Sequence, residues 1–193
     1  GIRRKLANFM RIALLGGSFN PPHIGHVWMA RQVLDFCGVD EVWLLPNYDQ
    51  SPSKDVAPVE HRLAMTRLLE GDRIRVSTIE VDNKLDGETV YILPFLPKGH
   101  KFSFIIGSDQ LAGFRTWQGW QKLLIALPFF VFPRPGYPAE PVEENMTVVS
   151  HELLVTASIS STIIRKRIAA GLSISAFVPE AVDLYISKHG LYR

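Results

Sequence analysis

Ile12-Ala13-Leu14-Leu15-Gly16-Gly17-Ser18-Phe19-Asn20-Pro21-Pro22-His23-Ile24-Gly25-His26 is the stretch on which the fold turns. Four apolar residues stop at a glycine pair, a polar loop with two prolines follows, and a helical pattern opens across His23 to His26. Val27, Ala30, Val33, Leu34 and Cys37 then recur at three- and four-residue steps, marking one buried helical face that ends at Gly38. Buried strand, glycine turn and helix, in that order, form the opening unit of a parallel α/β sheet.

The same alternation continues outward. Val42 to Leu45 predicts a second strand that runs into Pro46 and a polar loop reaching Pro58, and Val59 to about Leu69 predicts a helix. Ile74 to Val76, with Ile79, predicts a third strand before an acidic turn around Asp82 to Glu88. Thr89 to Leu96 has helical spacing interrupted by Pro94. Phe102 to Ile106 is a strand ending at Gly107, and Leu111, Phe114, Trp117, Trp120 and Leu124 predict one or two short helices. Phe129 to Phe132 is the fifth strand; a proline-rich loop then leads to two apolar runs, Thr147 to Ser150 and Leu153 to Val155. Helices over Thr162 to Ala170 and Pro179 to Lys188 close the chain. The expected fold is α/β, a Rossmann-like doubly wound parallel sheet with a small C-terminal helical extension. One domain is expected over 10–193, with residues 1–9 as an extension ahead of Met10. In such sheets the ligand site lies beyond the carboxyl ends of the strands, where the strand order reverses.

Composition narrows the function. A hydrophobic fraction of 47% over 193 residues is ample for one core. Twenty-one Lys and Arg against 19 Asp and Glu leave +2, far from the basic bias of a dedicated nucleic-acid binder. Small anions recognised by local donors fit this balance. Cys37, the single cysteine, cannot form an internal disulfide, so a cytoplasmic chain is expected. The apolar run Leu123 to Phe132 is broken by Pro128 and is shorter than the roughly 20 residues a membrane helix requires, so no membrane partner is expected. The segment GIRRKLANF carries charge but neither the apolar stretch nor the cleavage site of a secretory signal.

Three segments carry chemistry. In the first, Gly16 and Gly17 let the backbone approach phosphate oxygens, Ser18 and Phe19 follow in the loop, and a helix start with His23 and His26 offers amide and imidazole donors, an arrangement suited to a triphosphate. The two histidines could instead cap or decorate the helix; a zinc pair lacks an obvious third and fourth ligand. In the second, Ile159, Ser160, Ser161 and Thr162 stand where a helix should begin, and Arg165 lies one turn in, which makes an anion clamp or an ordinary serine-capped helix with a surface arginine. The third runs from Phe104 through Gly107 and Asp109 to Trp117 and Trp120, two tryptophans on one helical face that could equally be core.

The first segment resembles the (H/T)xGH nucleotidyltransferase superfamily, which includes class I aminoacyl-tRNA synthetases. The Ile159 to Arg165 segment resembles the ISSTxxR signature of bacterial nicotinate mononucleotide adenylyltransferases. The strand-end GxD with its tryptophans, Arg134-Pro135-Gly136-Tyr137 (RPGY) and the tail Val182 to Tyr192 are similar to that family too. The resemblance implies transfer of AMP from ATP, with Mg²⁺, to nicotinate mononucleotide in NAD biosynthesis. By the same resemblance, His23, His26 and Arg165 are catalytic. Gly16, Gly17, Ser18, Phe19, Gly107, Asp109, Ile159, Ser160, Ser161 and Thr162 bind ATP alongside them. Lys54, Thr89, Trp117 and Arg134 bind the acceptor, and no residue is a resident metal ligand. Two acceptor segments depart from the family: Ser51-Pro52-Ser53-Lys54 replaces PPHK, and Gly87-Glu88-Thr89 replaces SYT. Nicotinamide mononucleotide, phosphopantetheine or a choline-type phosphate with CTP remain alternative substrates, and a non-catalytic nucleotide sensor is the alternative from another class. A tRNA synthetase is disfavoured by length and by the lack of KMSKS. A homo-oligomer stays open.

Overall fold

Strands flanked by helices on both sides need apolar residues on both faces, which is why the strand segments read as nearly unbroken hydrophobic runs. The computed structural model describes residues 9–48 and 55–193 and contains one six-stranded sheet. Its strands are β1 (Arg11–Gly17), β2 (Glu41–Pro46), β3 (Ile74–Val76), β4 (Lys101–Gly107), β5 (Phe129–Phe132) and β6 (Met146–Val148). Their order is β3-β2-β1-β4-β5-β6, and every neighbouring pair is parallel. The chain builds outward from β1 to β3, returns to the centre at β4 and builds outward the other way. The reversal therefore falls between β1 and β4, paired in register at Leu14 and Phe104.

Helices α1 (Ile24–Phe36), α2 (Val59–Arg67), α5 (Ser161–Ala169) and α6 (Glu180–His189) share one core with the Ala13 and Leu15 face of β1. That core includes Ala30, Val33, Met65, Ile164, Val182 and Ile186. The Ile12 and Leu14 face packs with Ile92, Phe114, Leu123 and Phe129. These last side chains come from two 3-10 helices (Thr89–Phe95 and Ser108–Thr116), from α4 (Trp120–Ala126) and from β5. The two C-terminal helices are thus part of the main core rather than an appendage to it.

Three local expectations change. Ile79 opens the short helix α3 (Ile79–Asp82) instead of extending β3, because the sheet pairing ends where the Ser77 N–H donates to the Leu44 carbonyl at 2.8 Å. Thr89–Phe95 winds as a 3-10 helix: Pro94 has no N–H for an i→i−4 bond, and the tighter coil needs fewer consecutive donors. Leu153 to Val155 is not a strand. The Gln32 side chain takes up both backbone groups of Val155, accepting from its N–H at 2.6 Å and donating to its carbonyl at 2.8 Å, so no neighbouring strand is needed.

Candidate active site

At the reversal point, His23 and His26 hold the start of α1 and each other. His23 is the N-cap in extended conformation; its Nδ1 accepts from the Gly25 N–H, and the His26 Nδ1 accepts from the His23 N–H, both at 3.1 Å. The rings lie 3.8 Å apart, tilted by 30°. Because each Nδ1 accepts from a backbone N–H, each neutral ring must carry its proton on Nε2. Burial, then the nearby Arg134 charge, lowers the His23 pKa to about 4. Burial, followed by His23 and Arg134, pushes His26 well below its usual value. Both rings are therefore neutral donors at pH 7.

The helix amides behave differently from the expectation that they face an anion. The Ile24 N–H donates to the Phe177 carbonyl at 3.0 Å, and the Gly25 N–H is taken by His23. At α1 the donors left over are the imidazole Nε2–H groups. The capping role and the ligand-facing role are thus compatible: one nitrogen of each ring serves the helix and the other points away from it.

The late segment meets the early loop directly. Ser160 caps α5, accepting from the Ile163 N–H at 3.3 Å, so the Ser161 and Thr162 amides remain first-turn groups without intrahelical partners. The Ser161 hydroxyl donates to the Pro21 carbonyl at 2.7 Å, and Arg165 Nη1 donates to the Asn20 carbonyl at 2.8 Å. A Cβ on Gly25 would stand 2.5 Å from Ile159 Cγ2, so the glycine between the histidines is where α1 and the approach to α5 touch. Phe19 contributes backbone only, since its side chain is 1% exposed and buried against His26.

Beyond β4 and β5, the Asp109 carboxylate folds over Gly107, where an added Cβ would come within 2.3 Å of Oδ1. Arg134 pairs with Asp109 at 3.6 Å and donates to the Ile159 carbonyl at 2.9 Å. This places Arg134 beside the histidines and the α5 approach, apart from Thr89 and Trp117.

Those two residues line a cavity of about 440 Å³ with Gly16, Gly17, Ser18 and Glu80. Trp117 is half-buried, edge-on to Phe104 at 6.2 Å and packed on Phe114, so it is anchored in the core and also forms cavity wall. Trp120 packs against Phe114 as core. Lys54 lies outside the described residues. A larger apolar cavity of about 600 Å³, lined by Val39, Leu93, Phe102 and Pro128, opens at the opposite, amino end of the strands and holds none of these residues.

Sequence reading missed Arg62, Asn20 and Glu80. Arg62 is fully buried on α2 and donates to the carbonyls of Ala57, Ser18 and Asn47 at 2.9–3.0 Å, fixing the loop from below. Asn20 Oδ1 accepts from the Ala57 N–H and the Tyr192 hydroxyl, at 2.9 and 2.8 Å. A basic residue at a buried position of a helix was the available signal for Arg62; Asn20 and Glu80 offer none, since their partners are distant in sequence. Among the described residues, no group of three His, Cys, Asp or Glu could hold a metal ion. No helix among them is long and apolar enough to cross a membrane.

A cytidylyltransferase-like family model matches residues 14–167. A probable nicotinate-nucleotide adenylyltransferase of Salinibacter ruber is 42% identical over 193 residues, covering 95% of this chain and 98% of that protein. Another, of Anaeromyxobacter sp. strain K, is 38% identical, with coverage of 94% and 96%. The solved structure of Plasmodium falciparum nicotinic acid mononucleotide adenylyltransferase complexed with NaAD has a TM-score of 0.71 at 18% identity, covering 94% of this chain and 97% of that one. Its complex with APC gives 0.67 at 17%, covering 95% and 97%. At these identities the structures speak to the fold alone, whereas the sequence matches speak to descent: the chain belongs to the cytidylyltransferase-like family and, within it, to the nicotinate-nucleotide adenylyltransferases.

Proposed function

We propose that this chain transfers the adenylyl group of ATP to nicotinate mononucleotide. A 5′-phosphate oxygen of the acceptor attacks the α-phosphorus; a new P–O bond forms, the bond from the α-phosphorus to the bridging oxygen breaks, and pyrophosphate leaves with that bond's electron pair. The products are nicotinate adenine dinucleotide and pyrophosphate. Such a displacement needs alignment and charge stabilisation rather than a protein nucleophile.

The observation that carries the reading is the joining of the two anion-binding segments: Ser161 to Pro21, Arg165 to Asn20 and Gly25 against Ile159. That junction supports one polyphosphate shared between them. The Nε2–H groups of His23 and His26 act on the α-phosphate, where charge builds in the transition state. Arg165, Ser160, Ser161 and Thr162 hold the β- and γ-phosphates. Gly16, Gly17, Ser18 and the Phe19 backbone line the approach, while Gly107, Asp109 and Ile159 flank the nucleoside of ATP. Mg²⁺ enters as part of the MgATP substrate and neutralises the leaving pyrophosphate. Thr89 and Trp117 contact the acceptor from the cavity wall; Lys54, an acceptor candidate by the resemblance, lies outside the described residues. Arg134 remains an acceptor candidate: its position near the histidines, held by Asp109 and the Ile159 carbonyl, supports a contact with the attacking 5′-phosphate.

Pyrophosphate release and dinucleotide formation, measured with ATP and each candidate acceptor, test the assignment. Turnover is expected with nicotinate mononucleotide. Binding of ATP with no turnover on any acceptor would favour a sensor instead.

A further inference from the structure

The wall of the acceptor cavity carries a charge that the chemistry above does not use. Glu88 lines that cavity with Thr89 and Trp117 and is half-buried. Its backbone is fixed: the N–H donates to Asp86 Oδ1 at 3.4 Å, and the carbonyl accepts from the Tyr91 N–H at 3.0 Å. Its carboxylate has no hydrogen-bond or ion-pair partner among the described residues. No Lys or Arg stands among the described lining residues to offset it. The other carboxyl there, Glu80 on α3, is 4% exposed with Oε2 buried and unpaired, so it lies behind the wall rather than on it.

Two contacts tie the Glu88 turn to the tryptophan segment. A Cβ on Gly119 would stand 2.9 Å from Val90 Cγ2, and the Gln118 side chain donates to the Tyr91 hydroxyl. The acceptor's 5′-phosphate must reach the α-phosphorus at the end of the cavity marked by Gly16 to Ser18, which sends its pyridine ring toward Trp117, Thr89 and Glu88. Nicotinate and nicotinamide mononucleotides differ only in the ring substituent, a carboxylate in one and a neutral amide in the other. A charge on this wall therefore discriminates between them.

We propose that Glu88 narrows the preference for nicotinate mononucleotide and admits nicotinamide mononucleotide as a second acceptor. The inference rests on the function proposed above. The Glu88 carboxylate repels the ring carboxylate and leaves the amide unopposed. Across a partly solvated cavity this amounts to roughly three- to tenfold in relative kcat/KM. The tyrosine of the SYT segment, which Glu88 replaces, brings no such charge.

The test is the ratio of kcat/KM for the two acceptors in the wild type, Glu88→Gln and Glu88→Lys, at low and high KCl. Where nicotinamide mononucleotide turns over too slowly to follow, its Ki against nicotinate mononucleotide supplies the same ratio. The 5′-phosphate and ribose are common to both acceptors and cancel. The preference for nicotinate mononucleotide is expected to rise roughly three- to tenfold in Glu88→Gln and further in Glu88→Lys. Salt screens the repulsion, so the wild-type preference should rise with KCl while that of Glu88→Gln stays level. A preference that is the same for all three side chains, or that does not follow their charge, overturns the proposal. An equal effect on both acceptors overturns it too, since the charge would then act on the phosphate they share. If the wild type makes no dinucleotide from nicotinate mononucleotide, the parent function fails; if it does and the preference ignores the charge at position 88, this inference fails alone.

Discussion

His23 and His26 each commit one ring nitrogen to the backbone, and this changes what a mutation at either position means. Removing the His26 ring takes away an Nε2–H donor and also the acceptor for the His23 N–H. His26→Ala is therefore expected to lower turnover by roughly 10²- to 10³-fold. Stability should also fall by about 1 kcal/mol, as for a lost helix cap. Asparagine separates the two roles, because its side-chain oxygen can sit near the place of Nδ1 while nothing reaches the place of Nε2. His26→Asn should recover most of the stability and little of the activity, which urea denaturation and steady-state turnover together would show. A variant that recovers both would remove the second imidazole from the mechanism.

Two contacts between elements hold the loop from Gly16 to His23. The first is the touch of α1 on the segment before α5. Gly25→Ala would drive a methyl to 2.5 Å from Ile159 Cγ2 and 2.9 Å from His23 Nδ1, so both the helix junction and the cap must shift. An overpacked contact of this kind costs typically 1–3 kcal/mol. ATP affinity should fall with it, and Gly25→Ala combined with Ile159→Ala should regain part of both; failure of the second change to help would place the strain at His23. The second contact is the C-terminal tail. The Tyr192 hydroxyl donates to Asn20 Oδ1, and its burial raises the phenol pKa above the ordinary range. Tyr192→Phe should cost about 1 kcal/mol, since Asn20 keeps its bond from Ala57. Weaker ATP binding is expected alongside, measurable by titration calorimetry; unchanged affinity would show that the loop holds its shape without the tail.

The whole molecule should respond to pH through buried groups of opposite sign, the lowered His23 and His26 and the raised Glu80. His23 titrates near 4 when folded and near 6.5 when unfolded, so between these values the unfolded chain binds more protons and stability falls as pH is lowered. The loss is at most about 1.4 kcal/mol per pH unit for each such histidine, and His26 is shifted in the same direction. Glu80 titrates near 7 when folded and near 4.5 when unfolded, so the folded chain holds the extra proton and stability from this group is lost as pH rises through that window. Glu80→Gln is therefore expected to be more stable than the wild type at pH 8, by up to about 3 kcal/mol, and nearly matched at pH 4. It should also show a steeper rise between pH 4.5 and 6.5, where the carboxyl slope no longer opposes that of the histidines. Denaturant midpoints across that range would check the sign.

The order of strands and helices was legible in the residues themselves, because buried runs, the Gly16-Gly17 stop and the Ser160 cap act over a few neighbouring positions. Local patterning likewise set the α/β class and put the two histidines at a helix start. Other features depend on partners far along the chain: the use of each imidazole's Nδ1 for capping, the seat of Arg134 beside Asp109, the hold of Arg62 on Ser18 and Asn47, and the unpaired oxygen of Glu80. Gln32 bonding Val155 from 123 residues away shows why the Leu153 to Val155 run misleads when read alone. Hydrophobic periodicity is a local signal and survives in the linear text, whereas hydrogen-bond satisfaction and desolvation exist only once the chain has closed around the site.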